Sequence, residues 1–239
     1  MHVSYFHVLW LFSHALCVLP DYVLIHAYSS SNDVGAFECS NLSSISILSG
    51  ASVDIASATI NLLCNVTGGG DLSLACRPED CEMSFGGEIN HYSNTSAYHV
   101  SNAEFARLQT SGAVTFGSHS DRNVSNMLLD EVSATFSASN VSFFSSSGYI
   151  RILNGSSTFA LSAMGASIVL GAVGNVSIET DVMIDLINGG TSAFKTSGMF
   201  IASGSMRLFS FHSIEFHVTL CCSISWLLNT KKCEFRHMG

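Results

Sequence analysis

From Gly112 to Ser210 apolar and polar positions alternate in short runs, each closed by Gly, Ser, Asn or Ala. The apolar pairs are Val114/Phe116, Val132/Phe136, Val141/Phe143, Ile150/Ile152, Phe159/Leu161, Ile168/Leu170, Val176/Ile178, Ile184/Leu186, a degenerate Ala193/Lys195, Met199/Ile201 and Met206/Leu208. Alternation with a period of two is the mark of a strand with one face buried. A repeat of eight or nine residues leaves room for about five residues of strand and a turn of three or four. Two or three such units make a coil of about 18–27 residues, and coils stack at the interstrand spacing of about 4.8 Å. The pattern predicts a β-helix (β-solenoid) of about seven to nine coils. The rival all-β arrangement is an antiparallel β-sandwich, which also has short strands at regular spacing. The steady repeat favours the coil. So does the scarcity of Asn-Gly hairpin turns, found only at Asn154-Gly155 and Asn188-Gly189.

The same rhythm begins earlier. Ile45/Ile47, Val53/Ile55, Ile60/Leu62, Leu72/Leu74 and Met83/Phe85 are strand pairs, with Gly68-Gly69-Gly70 and Gly86-Gly87 as turns. Residues 28–40 read as a Ser-rich lead-in and 88–100 as a polar loop. Ser101 followed by Glu104 makes a capping box, predicting a short helix from Asn102 to Leu108 ahead of a strand at Ala113–Phe116. Four segments result: 1–27, a leader; 28–100, cysteine-containing β coils and a loop; 101–210, the regular solenoid; and 211–239, an irregular tail in which Phe216–Leu228 reads as a final β-coil.

Composition narrows the class. Charged residues are 11% of the 239, against roughly 25% in ordinary soluble domains. The formal net charge is −9, and basic residues stand singly except for Lys231-Lys232, so no nucleic-acid surface is expected. Residues 1–20 carry no Lys, Arg, Asp or Glu. They read as a secretory signal peptide ending near Ala27, or as an N-terminal membrane anchor if uncleaved. Seven N-x-[ST] sequons follow, at Asn41, Asn65, Asn94, Asn123, Asn140, Asn154 and Asn175, as in a secreted glycoprotein.

Eight cysteines fit an oxidising compartment. Cys39, Cys64, Cys76 and Cys81 allow three pairings. Closing the Arg77–Asp80 turn with Cys76–Cys81, which leaves Cys39–Cys64, is the first choice. Cys221, Cys222 and Cys233 make an odd remainder once Cys17 leaves with the leader.

The stretch from Ser101 to Ser118, with its Ser-x-Ala-Glu turn, Thr/Gly spacer and Val-x-Phe-Gly strand, resembles a segment of filamentous-haemagglutinin-like adhesin repeat proteins. Gly165–Gly171 and Gly174–Thr180 are similar to that family's strand units. The resemblance implies a β-helix with an adhesion or surface-structure role, and it carries over no catalytic residue.

Candidate chemistry is sparse. Glu179, Asp181 and Asp185 come from successive units and would be the carboxylates of a carbohydrate-active β-helix enzyme, a lyase or hydrolase. Solvated outer-face acids are the simpler reading. His212, Glu215 and His217 split across the two faces of a strand, which spoils a metal site. The acidic turn Glu79-Asp80 lacks a calcium-loop pattern. No cofactor is expected. The expectation is therefore an extracellular or cell-surface scaffold without catalysis. Its partner would be an extracellular protein or polysaccharide surface, and copies could join end to end.

Overall fold

The computed structural model describes residues 16–19, 22–26, 36–77, 81–87, 98–117, 124–203, 206–209, 213–222 and 234–237. Asn94, Asn123, Glu79, Asp80, His212, Cys233 and the Lys231-Lys232 pair lie outside the described residues. Every described strand pairing is parallel, and the strands form a β-solenoid of about seven turns with one short helix. Parallel pairing throughout excludes the antiparallel sandwich. In the upper turns, matched residues are 19 to 27 positions apart, from Phe216 to Phe235 at the short end and Phe116 to Phe143 at the long end. These are the coil lengths that the spacing predicts.

Each turn has three sides. Side A carries Ser44–Ile47, Asn65–Gly68 and Leu108–Thr110, then Ser133–Phe136, Ser157–Leu161, Val182–Leu186 and Met206–Phe209. Side B runs through Ser52–Ser57, Asp71–Cys76, Ala113–Phe116, Asn140–Ser145 and Ala166–Ala172 to the first halves of Gly190–Ala202 and Ser213–Cys222. Side C runs through Cys81–Phe85, Val124–Asp130, Ile150–Leu153 and Val176–Ile178 to the second half of Gly190–Ala202. Strands Leu16–Leu19 and Tyr22–His26, within the segment expected as a leader, stack in register on Ser44–Ile47 and Ser52–Ser57.

Parallel stacking without register shift puts like positions above one another. On side B one inward column is Ile55, Leu74, Phe116, Phe143, Leu170, Phe194 and Phe216. All seven are buried. Within the column Phe116 and Phe143 stack at 4.8 Å between ring centres, and Phe194 and Phe216 at 5.2 Å. Phe85, Phe105 and Phe159 meet Phe143 from the other sides, edge-on, at 5.2, 6.5 and 5.8 Å. The middle of the rod is thus an aromatic cluster, and each such pair adds about 0.5–1.5 kcal/mol beyond area burial.

Some sequence readings shift. In the long strand Gly190–Ala202 the buried side chains are Ser192, Ala193, Phe194, Thr196, Phe200 and Ala202, with Ser192, Phe194 and Phe200 filling the core. Lys195, Met199 and Ile201 lie on the outer row, Lys195 and Met199 exposed and Ile201 half-buried, while the small Ala193 on the same row is covered. The reading was one residue out, and a slip of one inverts a strand's faces. The helix α1 is Asn102–Phe105, shorter than expected, and Leu108 starts a strand instead. Tyr98–Val100, expected as loop, is a strand lying in register beneath Cys81–Phe85. Ala36–Cys39, expected as lead-in, is a strand paired to Thr59–Leu62. The rhythm also continues past Ser210, because Ser213–Cys222 stacks on Thr191–Ile201.

Tight corners need glycine where the chain turns under the next coil. Gly86 has φ +91°, and a Cβ there would run into the Asp130 carbonyl of the neighbouring turn.

Ser192 breaks a column of Val53, Leu72, Val114, Val141 and Ile168, and its fully buried hydroxyl has no hydrogen-bond partner among the described residues. Replacing it with Ala is expected to raise stability by about 1 kcal/mol, since a desolvated hydroxyl costs about that much or more. Phe143→Ala should cost about 3–5 kcal/mol. Denaturant unfolding of both variants checks the pair. Equal effects of one sign would contradict the column assignment.

Candidate functional site

The three candidate acids do not converge. Glu179 follows the side C strand Val176–Ile178, where Arg151 of the turn below grips it with both guanidinium arms. Nε donates to Oε1 at 2.7 Å and the terminal nitrogen to Oε2 at 2.9 Å. Ser177 Oγ adds a third bond at 3.2 Å. Chiefly through the Arg151 hydrogen bonds, the Glu179 carboxyl is held below its ordinary range. A glycosidase general acid needs the reverse, a raised pKa. Asp181 sits in the corner before Val182–Leu186. It lines a shallow groove of about 200 Å³ with Ser156, Ser157, Thr158, Val182, Met183 and Arg207. Asp185 points outward farther along side A, level with Ala160 and Phe209 of the adjoining turns. The acids are therefore spread over side C, a corner and side A, and the groove takes in only one of them.

Histidine chemistry is also local. Glu215 and His217 share the outward row of their strand, as the alternation predicts, with Oε2 and Nε2 3.3 Å apart. No group of three His, Cys, Asp or Glu side chains able to hold a metal occurs among the described residues. One pairing escaped the sequence reading: Ser84 Oγ lies 2.9 Å from His99 Nδ1. The parallel match of Tyr98–Val100 with Cys81–Phe85 brings the two together across fifteen positions, and no local signal announces it. Ser84 is buried and its hydroxyl also reaches the Tyr98 carbonyl at 3.4 Å, so the pair clamps two rungs rather than presenting a nucleophile.

The segment from Ser101 carries the densest polar network. Ser101 caps α1: its hydroxyl accepts from Glu104 N, and its own N–H donates to Glu104 Oε2 at 2.8 Å. The other Glu104 oxygen accepts from Leu62 N at 2.8 Å, while Arg107 donates to Leu62 O at 2.6 Å. Together the two side chains bond the edge of Leu62 as a neighbouring strand would. On the opposite flank the Asn102 amide donates to Glu131 O at 3.0 Å and accepts from Ser133 N at 2.8 Å. Thus α1 bridges the corners of the turns below and above it. Buried Tyr98 lies against this network; burial first, and the Glu104 charge second, push its hydroxyl well above the ordinary tyrosine range.

The cysteine arrangement follows the first choice. Cys39–Cys64 joins adjacent turns at one corner, and Cys76–Cys81 closes the corner between sides B and C. For a loop of the first bridge's size the stabilisation is about 3 kcal/mol, and such bonds belong to an oxidising environment. No helix among the described residues is long and apolar enough to cross a membrane.

Among the sequons, Asn41 and Asn65 are exposed at the lower end of the rod. Asn140, Asn154 and Asn175 serve the stack: Asn140 Oδ1 accepts from Ser167, Asn154 Nδ2 donates to Asp130, and Asn175 Oδ1 accepts from Met199 N. No protein-family model, curated protein or solved structure matches this chain.

The α1 network generates a sharp expectation. In Glu104→Gln the amide can still accept from Leu62 N, but its NH₂ then faces the Ser101 N–H, donor against donor. A loss of about 1–3 kcal/mol is expected. Glu131→Gln, one corner away and exposed, should change stability by under about 0.5 kcal/mol. Thermal unfolding of the two variants in parallel checks this; a Glu104→Gln protein as stable as wild type would contradict the network's role.

Proposed function

We propose that this chain is a secreted or cell-surface scaffold, adhesin-like in character, that works by presenting the flat outer faces of a rigid rod rather than by catalysis. One observation carries the reading: a parallel stack, continuous along side B, with outward polar groups that hold adjacent turns together. On side B the outward row Asn140, Ser167, Thr191 and Ser213 is stitched by Ser167–Asn140 and Thr191–Ser213 hydrogen bonds of 2.7 and 2.9 Å. The bidentate Arg151–Glu179 pair does the same on side C. A face built this way is stiff and regular, which suits recognition of an extended partner such as an extracellular protein or polysaccharide.

Other features support it. The two disulfides suit an extracellular setting. Residues 101–117 of the segment that resembles filamentous-haemagglutinin-like repeats form the capped turn and strand that continue the coil. Exposed sequons at Asn41, Asn65, Asn154 and Asn175 offer positions for glycans, which would protect a strand-rich surface from edge pairing.

The test is a direct one. Purified full-length protein, secreted from eukaryotic cells, is applied to immobilised matrix proteins and polysaccharides, and the same polysaccharides are assayed for cleavage. Retention without cleavage is expected, unchanged in the Asp181→Asn/Asp185→Asn double variant. Cleavage that the double variant abolishes would overturn the scaffold reading in favour of a carbohydrate-active enzyme.

A further inference from the structure

The outer surface of the rod is not uniform. On upper side A the outward residues of the first strand, Ser133–Phe136, are Ser133 and Thr135. In the turns above, apolar and charged side chains take those places. The row Thr158, Met183, Arg207 lies beside the row Ala160, Asp185, Phe209. Met183 is 37% exposed and Phe209 38%; Ile187 and Met164, at the corner that follows, are 49% and 89% exposed. Apolar side chains gathered on one face of a soluble chain mark a contact surface.

We infer that this upper part of side A is the interface of a face-to-face dimer with a second copy of the chain. Three observations select a second copy. The face holds one cation, Arg207, with Asp185 in the adjoining row and Asp181 at its border, so it is close to neutral on a chain of net charge −9. A face with both signs and an apolar centre is self-complementary about a twofold axis, where each contact occurs twice. The face also holds both a knob and a hole. Phe209 projects at one end of the strand Met206–Phe209, and the groove of about 200 Å³ beside Thr158, Val182 and Met183 lies toward the other. A twofold axis normal to the face lays antiparallel strands over one another, so that the Phe209 of each copy meets the groove of the other and Arg207 meets the acidic side chains. Finally, the four strands of this face contain no sequon; the nearest, Asn154, stands at the corner before Ser157.

Four strands about 4.8 Å apart and roughly 17 Å long make a small face. At about 330 Å² per copy from the strands alone, the contact is smaller than a standard interface, so weak dimerisation, at tens to hundreds of micromolar, is expected, not an obligate dimer.

The glycan part of this inference rests on the secreted reading; the dimer itself does not. Sedimentation velocity and light scattering over a micromolar dilution series are expected to show a monomer–dimer equilibrium for the wild-type chain. Phe209→Asp should weaken it at least tenfold with unchanged circular dichroism and melting temperature. Arg207→Glu should weaken it too, and Arg207→Glu/Asp185→Lys should restore it. Ala160→Asn completes an N-x-S with Ser162; in protein secreted from eukaryotic cells, a glycan there should give monomers. A wild-type chain that stays monomeric, or dimers indifferent to Phe209→Asp and Arg207→Glu, would overturn the proposal. Open-ended oligomers insensitive to Phe209→Asp would overturn it in favour of end-to-end stacking. Empty native sequons would overturn the glycoprotein reading while leaving the Phe209 and Arg207 measurements intact.

Discussion

Everything in this molecule hangs on parallel pairing held almost without slip from turn to turn. A parallel ladder stacks residue on residue, so a side chain's neighbours above and below are fixed by the coil length rather than by local sequence. The apolar column from Ile55 to Phe216 follows from that constraint. This chain has few charges, so small polar side chains such as Ser133, Thr135, Ser142 and Ser167 cover its outer faces. It builds a narrow core many times over, and each turn buries its apolar pairs against the turn below. The aromatic cluster around Phe143 is where the constraint is tightest. Rings from all three sides meet there, so a change in one turn is felt in two others.

The constraint also explains where polar chemistry gathers. A rung is complete only if a neighbour lies in register on both of its edges. Between Leu72 and Val114, which are matched on side B, the chain spends 42 residues instead of one coil length. It lays down Cys81–Phe85 first and returns to place Tyr98–Val100 beneath it. The corner at Leu62 then lacks a strand above it, and the corner at Ser133 lacks one below. Buried peptide groups without partners cost more than a hydrogen bond returns. The side chains of Asn102, Glu104 and Arg107 stand in for the missing backbone. The densest polar network in the rod is thus a structural splice, and its density alone is no sign of catalysis.

How much of this was legible follows the same physics. Strand pairs such as Val114/Phe116, Val141/Phe143 and Ile184/Leu186 were readable because both inward positions are large and apolar. The strand Gly190–Ala202 was misread where a buried Ser192 and an outward Met199 exchange the usual characters, and a period of two then offers two equally good phases. Tyr98–Val100 was missed because a single apolar–polar–apolar triplet is too short to establish a period; its partner in Cys81–Phe85 defines it. The capping box at Ser101 was readable because it is local. Glu104's second partner, Leu62, was not, because no rule of spacing reaches forty-two positions. The disulfides were reachable because Cys76 and Cys81 bound a turn, which settles the other pair by default.

The candidate site was the least legible part, for a reason internal to the fold. Inward positions answer to the ladder, so their sequence reports their place. Outward positions answer to it only weakly, and an acid there looks the same whether it is solvated, paired or poised. Glu179 looked like its neighbours Asp181 and Asp185, yet Arg151 one turn below neutralises it, and that pairing depends on a coil length of 26 residues between Ile152 and Ile178. A coil one residue longer or shorter would move Glu179 off Arg151 and turn the next strand inside out. Function on such a rod is therefore a property of rows that cross many turns, not of motifs along the chain. The contrast between polar Ser133 and Thr135 and the Met183, Arg207 and Phe209 that stand above them is visible only when the turns are stacked.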